Sequence, residues 1–179
     1  VIMCKQAELC VNSSVVTGNE SVGTAETSAE NGTANLVCET EEEAIKAAAN
    51  IMSYLPENNL SVAPVADYLA AEATECPITK VVDAGSFIEL SPVHAECAHV
   101  GLARIGGNSV GVVATDPRVN EARLCASGAA KIARFVRLCD AFSLPVITLL
   151  DCAGFMGTAK EELNGDVKAI AMLTHAYSE

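Results

Sequence analysis

The sequence predicts an α/β fold, and three observations carry that prediction. Two strand-like runs, HVGLARI and SVGVVAT, are joined by Gly106-Gly107-Asn108, the chemistry of a tight hairpin turn. Next, SGAAKIARFVRLCDAF sets Ile132, Phe135, Val136 and Cys139 on one helical face. PVITLLD then follows as an uninterrupted apolar run, read as a buried strand. Strand, helix, strand in that order signals a parallel crossover, in which ligands bind beyond the carboxyl ends of the strands.

The remaining elements can be read in chain order. Residues 11–37 are small, polar and weakly patterned, and read as loop with one strand at most. TEEEAIKAAANIMSYLP reads as a helix: Thr40 and Glu43 form a capping box, and the early glutamates suit the positive end of the helix dipole. Ile45, Ala48, Ala49 and Met52 mark its inward face. Pro56 stops it, and PENNLSVAPVA reads as a linker. Short helical pieces are expected over 65–74 and 77–82, and a strand at SFIEL. AKEELNGDVKAIAMLTHAY reads as one final helix with Leu163, Val167, Ile170 and Ala171 inward.

Composition narrows the function classes. The 179 residues are 50% apolar with only 4% aromatics, and mean hydropathy is +0.30. Even so, no apolar run approaches the roughly 20 residues that span a bilayer, so no direct membrane insertion is expected. Net charge is −12 and uneven, with 3 basic and 15 acidic residues before position 101 and 8 of each after it. Without a basic field, nucleic-acid binding is not expected. The eight cysteines contain no CxxC pair, and His94, Cys97 and His99 have the spacing of no common metal site, so no metal is assigned. Cys38, Cys125, Cys139 and Cys152 lie in apolar contexts, where thiols behave as small hydrophobes. With no signal peptide, the sequons at Asn12, Asn19 and Asn31 are read as chance and the location as a reducing cytoplasm. The opening VIMCKQAELC lacks a leading Met, so the chain is read as an excised or processed piece.

The most informative stretch is LPVITLLDCAGFMGT, residues 144–158, an apolar strand that ends in Asp151 and a loop bounded by Gly154 and Gly157. Glycines at a strand end allow close approach to the backbone. Asp151 either orients loop amides or caps the turn that follows. Phe155 either touches a ligand or plugs the core. Arg123, Lys131, Arg134 and Arg137 could meet an anionic ligand, although Arg134 and Arg137 also fit the solvated edge of an amphipathic helix. Gly106-Gly107 is a turn.

GLARIGGNSVGVVATDP and KIARFVRLCDAFSLPVITLLDCAGFMGT resemble the carboxyltransferase subunits of biotin-dependent acyl-CoA carboxylases and decarboxylases. The likeness is strong over residues 101–155 and continues without gaps to Glu179. It is weaker but in order over VVDAGSFIEL, EEEAIKAAANIMSYLPENN and SVGTAETSAENGTANL. The resemblance implies a crotonase-like α/β fold of two lobes. Residues 1–59 would be the tail of the first lobe, 60–75 a linker, and 76–179 the opening of the second, biotin-side lobe. It further implies carboxyl transfer between N1 of biotin and the α-carbon of an acyl-CoA. Biotin would be carried on a partner protein or domain.

Oxyanions of such a reaction are held by backbone N–H groups, so no catalytic side chain is assigned. The resemblance assigns Asp151, Gly154, Phe155, Met156 and Gly157 to the biotin site, and leaves substrate-binding residues unassigned. It implies a cytoplasmic homo-oligomer working with a biotin carboxyl carrier protein and either biotin carboxylase or membrane decarboxylase subunits. This chain departs from the family at Ala153, where the family has proline, and at Met156-Gly157-Thr158, where it has Leu-Pro-Gly. Asn164-Gly165 replaces Gly-Gly, and Lys168-Ala169 replaces Arg-His. These changes soften the loop. The oxyanion donors of both lobes are expected outside residues 1–179, so the chain alone is not expected to turn over, and its unpaired sheet edges favour aggregation or a rearranged oligomer. The rival readings are another crotonase-fold CoA enzyme, a hydratase or isomerase marked by a glutamate pair, and a non-catalytic assembly module.

Overall fold

The computed structural model describes residues 1–11, 18, 20–71 and 76–179. Asn12, Asn19 and the end of the helix expected over 65–74 lie outside the described residues. A mixed sheet in the order β3-β4-β5-β7 forms the centre. β4 (Ala98–Ile105) and β5 (Asn108–Thr115) make the predicted hairpin, with Ile105 opposite Asn108. β3 (Ile88–Leu90) pairs antiparallel to β4, and β7 (Val146–Leu149) pairs parallel to β5.

Period-two alternation separates two cores. Val100, Leu102 and Val113 face the helix α3 (Ala126–Ala141), whose Ile132, Phe135, Val136 and Cys139 are all buried as predicted. Ala103, Val110, Val112 and Ala114 face the other way, onto Ile78 and Val82. Because both faces of the hairpin are covered, its strands read as nearly continuous apolar runs. Leu102, Val112 and Val113 are each 1% exposed, and burying a side chain of that size is worth about 1.5–3 kcal/mol.

The N-terminal segment is a small unit docked on this core. β1 (Ile2–Cys4) and β2 (Leu36–Cys38) pair in parallel around α1 (Ala25–Glu30), and α2 (Glu41–Met52) follows. β1 and α1 lie in stretches where the sequence offers no helical or strand periodicity. They form because Met3, Ala25 and Ala34 bury one another. Thr40 caps α2 as predicted, its hydroxyl accepting from the Glu43 N–H at 3.2 Å. Glu43 reaches back one residue further than a capping box requires, accepting from the N–H of Glu39. After α2, Tyr54 is buried. Its hydroxyl donates to the Ser86 carbonyl at 2.6 Å and its ring lies under the Arg104 guanidinium, 4.2 Å from the centroid.

Several sequence expectations need correction. The inward face assigned to α2 is open, with Ile45 70% and Met52 63% exposed, because the helix rests on the core through Ile51 and the Tyr54–Leu55 turn instead. Residues 65–71 form no helix. Val65 bridges to Asn108 and Ala66 donates to Gly107, so this stretch is held as an extended lining of the hairpin turn. Residues 77–81 form only a turn, stopped as Val82 enters the core and Asp83 turns to the hairpin. β7 is half-buried, being an edge strand among the described residues.

The last helix is two helices, α4 (Ala159–Leu163) and α5 (Asp166–Ala176), divided at Asn164-Gly165. That break resets the helical register. Asp166, Ala169 and Ala176 turn inward, while Leu163 and Val167 are 89% and 68% exposed. Ala171 is exposed as well, and Ile170 is half-buried.

Candidate functional site

Beyond the carboxyl end of β7 the chain makes a sharply defined loop. The Asp151 N–H donates to Thr115 Oγ1 at 2.8 Å, tying the loop to the end of β5. Ala153 donates to the Ala122 carbonyl at 2.6 Å, and Met156 donates to the Leu124 carbonyl at 3.0 Å. Between those two bonds β8 (Gly154–Phe155) runs parallel to β6 (Arg123–Leu124). Cys152 folds over its own loop, with Sγ 3.3 Å from the Gly154 N–H. Gly154 has φ +124°, a conformation L side chains rarely adopt, and nothing lies within 4 Å of where a Cβ would stand. Its freedom therefore serves the backbone path and leaves open space beside it.

The facing wall is strained. Asn120, Glu121 and Ala122 all have positive φ, at 53°, 55° and 59°. Three consecutive left-handed residues cost roughly 1–2 kcal/mol each. The turn delivers the Ala122 carbonyl to Ala153 and aims Arg123 at the loop, where its guanidinium donates to the Phe155 carbonyl at 3.3 Å. Asn120, Glu121 and Arg123 on one side, and Phe155, Met156, Gly157 and Thr158 on the other, enclose a cleft of about 640 Å³.

Three of the five sequence-assigned site residues, Phe155, Met156 and Gly157, line this cleft. Gly154 lies in the paired strand behind it. Asp151 stands apart, exposed, and its carboxylate neither caps nor orients a loop amide among the described residues. Thr158 does the capping, its hydroxyl accepting from the Glu161 N–H. Phe155 and Met156 divide the roles once weighed for Phe155 alone. Met156 packs on the core, whereas Phe155 is 37% exposed.

The basic residues separate too. Lys131 is buried and donates to the carbonyls of Ser91, His94 and Ala98 at 2.7–2.8 Å, so it is a structural post unavailable to an anion. Burial pushes its pKa down. Arg134 is no mere solvated edge, because it donates to the Gly32 carbonyl. Arg137 is exposed.

The histidines and Cys97 each have separate partners. His94 Nδ1 meets the Glu30 carbonyl at 2.8 Å, Cys97 meets Cys125, and His99 lies 2.6 Å from Glu89. That hydrogen bond raises the His99 pKa. No group of three His, Cys, Asp or Glu side chains converges on a metal-sized site among the described residues.

Two residues missed from sequence hold the architecture. Asp83, 4% exposed, accepts from the N–H groups of both Gly106 and Gly107. Glu161, 8% exposed, accepts from the Ala126 N–H at 2.7 Å, at the start of α3. Neither has a local sequence signal, since each reaches a partner more than 20 residues away. Chemically, the cleft offers a phenyl ring, one cation, one carboxylate, one amide and one hydroxyl.

Comparison with known proteins bears on the family and the fold. Residues 5–179 match the carboxyl transferase domain family. The chain is 34% identical over 183 residues to the propionyl-CoA carboxylase carboxyltransferase subunit of Haloferax mediterranei, covering 92% of this chain and 36% of that one. It is 36% identical over 188 residues to the propionyl-CoA carboxylase beta chain of Saccharopolyspora erythraea, covering 89% and 34%. The fold superimposes with a TM-score of 0.90, at 29% identity, on a transcarboxylase 12S crystal structure, a hexamer assembly with hydrolysed methylmalonyl-coenzyme A bound, covering 99% of this chain and 40% of that one. The chain thus spans about a third of the length of the curated relatives it matches. These neighbours are crotonase-like carboxyltransferases, in accord with the fold class read from the sequence. No helix among the described residues is long and apolar enough to cross a membrane.

Proposed function

This chain belongs to the carboxyl transferase domain family, and from that premise we propose that it is part of a biotin-dependent acyl-CoA carboxyltransferase. The reaction moves a carboxyl group between N1 of biotin and the α-carbon of an acyl-CoA. The observation that carries the reading is the family match across residues 5–179. Residues 1–59 are the tail of one lobe, 60–75 the linker, and 76–179 the opening of the biotin-side lobe. On that division, the bonds from Tyr54 to Ser86 and from Arg104 to Ser53 form the junction of the lobes.

Biotin, when bound, supplies the ureido nitrogen that carries the carboxyl group. The loop with Gly154, Phe155, Met156 and Gly157 would hold it, beside the cleft that Asn120, Glu121 and Arg123 line from the other side. Phe155 offers its partly exposed ring and Asn120 offers an amide. Arg123 fixes the Phe155 carbonyl and so holds the backbone of the loop. Asp151 precedes the loop, and its exposed carboxylate, without a partner among the described residues, would meet an approaching ureido N–H. Close approach beside Gly154 is open for the same reason that its side is empty.

The complete protein works as a homo-oligomer in the cytoplasm, as either a carboxylase, which is a ligase, or a decarboxylase. It acts with a biotin carboxyl carrier protein and with biotin carboxylase or membrane decarboxylase subunits. The hexameric transcarboxylase neighbour supports the oligomer.

The test uses the protein as its source cells make it, with methylmalonyl-CoA and free biotin. Loss of the thioester's carboxyl group that depends on added biotin is expected. No loss, or loss at the same rate without biotin, rejects the reading.

A further inference from the structure

Cys97 and Cys125 have no part in the carboxyl transfer, yet the fold brings them together. Cys97 directly precedes β4, and Cys125 is the residue from which α3 starts. They lie 28 positions apart in the chain, with their Sγ atoms 3.1 Å apart in the core, at 3% and 9% exposure. Gly128, on the first turn of α3, leaves room for this pair, since a Cβ there would stand 2.6 Å from Cys97 Sγ. All eight cysteines are free thiols, and a disulfide bond measures about 2.05 Å, so these two sulfurs need close by only about one ångström.

We infer that Cys97 and Cys125 form a reversible disulfide, a redox modification site whose oxidant is a small hydroperoxide. The two sulfurs are not equivalent. Cys125 sits at the positive end of a 16-residue helix, and its Sγ lies 3.3 Å from Ser127 Oγ and 3.1 Å from Cys97 Sγ. The hydrogen bond between the two thiols lowers the Cys125 pKa and raises that of Cys97.

Cys125 is accordingly the attacking sulfur and Cys97 the resolving one. The Cys125 thiolate attacks one peroxide oxygen, the O–O bond breaks, and the other oxygen leaves as water after taking up a proton. Cys125 is then a sulfenic acid. Cys97 sulfur gives up its proton and attacks the Cys125 sulfur. The S–O bond breaks, the oxygen departs as a second water, and the S–S bond forms. Two thiols and one hydrogen peroxide become one disulfide and two waters, with sulfur oxidised and peroxide oxygen reduced.

The site bears on the loop beyond β7. Leu124, on one side of Cys125, pairs with Phe155 and accepts from the Met156 N–H. Ala126, on the other side, donates to Glu161. A bond from Cys125 to the foot of β4 would therefore stiffen the wall on which the loop is hung.

The test is a peptide map of the full chain after hydrogen peroxide treatment and alkylation of the remaining thiols. Two of the eight thiols are expected to disappear, with the chain lighter by two hydrogen atoms and the Cys97 and Cys125 peptides joined until dithiothreitol releases them. In Cys97→Ser, once its circular dichroism matches the parent's, oxidation is expected to stop at a dimedone-reactive sulfenic acid on Cys125. The proposal fails if peroxide joins Cys4 to Cys38, opposed across β1 and β2, in place of this pair. It fails equally if Cys125 goes to sulfinic acid while Cys97 stays a free thiol. Joining that is equally efficient in concentrated urea also overturns it, because the fold would then have no part in bringing the sulfurs together. The map of the unsubstituted chain decides the matter whether or not the variant folds.

Discussion

Two glycine-bearing turns lie at opposite ends of the same sheet, Gly106-Gly107 at the hairpin end and residues 154–157 beyond the carboxyl ends of β5 and β7. The first is closed at Gly107, while Gly106 is exposed and a Cβ on it would meet nothing within 4 Å. Both of its glycines have positive φ, both N–H groups end on the buried Asp83 carboxylate, and a Cβ on Gly107 would stand 2.1 Å from the Ala66 carbonyl oxygen. The second is held only along its backbone, and a Cβ on either Gly154 or Gly157 would meet nothing within 4 Å. The same residue type therefore does two jobs. Gly107 is crowded and serves the fold, whereas Gly154 and Gly157 stand beside open space, where the proposed ligand would approach.

Substitutions can break or sharpen this contrast. The largest effect is expected for Gly107→Ala, which combines left-handed backbone with a backbone clash and should cost on the order of 3 kcal/mol in urea unfolding. A loss under about 1 kcal/mol would mean that the turn relaxes freely. Next is Asp83→Ala, which strands two N–H groups, one of them buried, and should cost about 2–3 kcal/mol by the same measurement. Asp83→Asn keeps one acceptor and should recover part of that loss.

Gly154→Ala carries only the backbone penalty, about 1–2 kcal/mol. It should nevertheless abolish most biotin-dependent decarboxylation of methylmalonyl-CoA by the complete protein. Unchanged turnover would remove Gly154 from the proposed site. The smallest effect is expected at Gly157→Ala, where φ is ordinary and space is open. Stability should stay within about 0.5 kcal/mol of the parent, and any change should appear in the KM for biotin. A large stability loss there would show that the second turn is as closed as the first.

Local sequence determined the hairpin, the face of α3, the cap of α2 and the strand–loop position of the candidate site. Each depends on residues within a few positions of one another: two glycines between apolar runs, four apolar residues at helical spacing, and Thr40 with its nearby N–H. Periodicity failed where the partner surface decides burial. Ile45, Met52, Leu163 and Val167 have the right spacing for inward faces, yet they lie open because α2 docks through Tyr54 and because α4 and α5 break apart at Asn164-Gly165.

Only the tertiary structure could bring Asp83 to the hairpin, Arg123 to the Phe155 carbonyl, Glu161 to the start of α3 and Cys97 to Cys125. These partners are 23 to 35 residues apart in the chain. Nearest-neighbour chemistry can specify a turn or a helix face, because the groups that satisfy it are already adjacent. A contact across that many residues exists only once the sheet has closed and buried both ends.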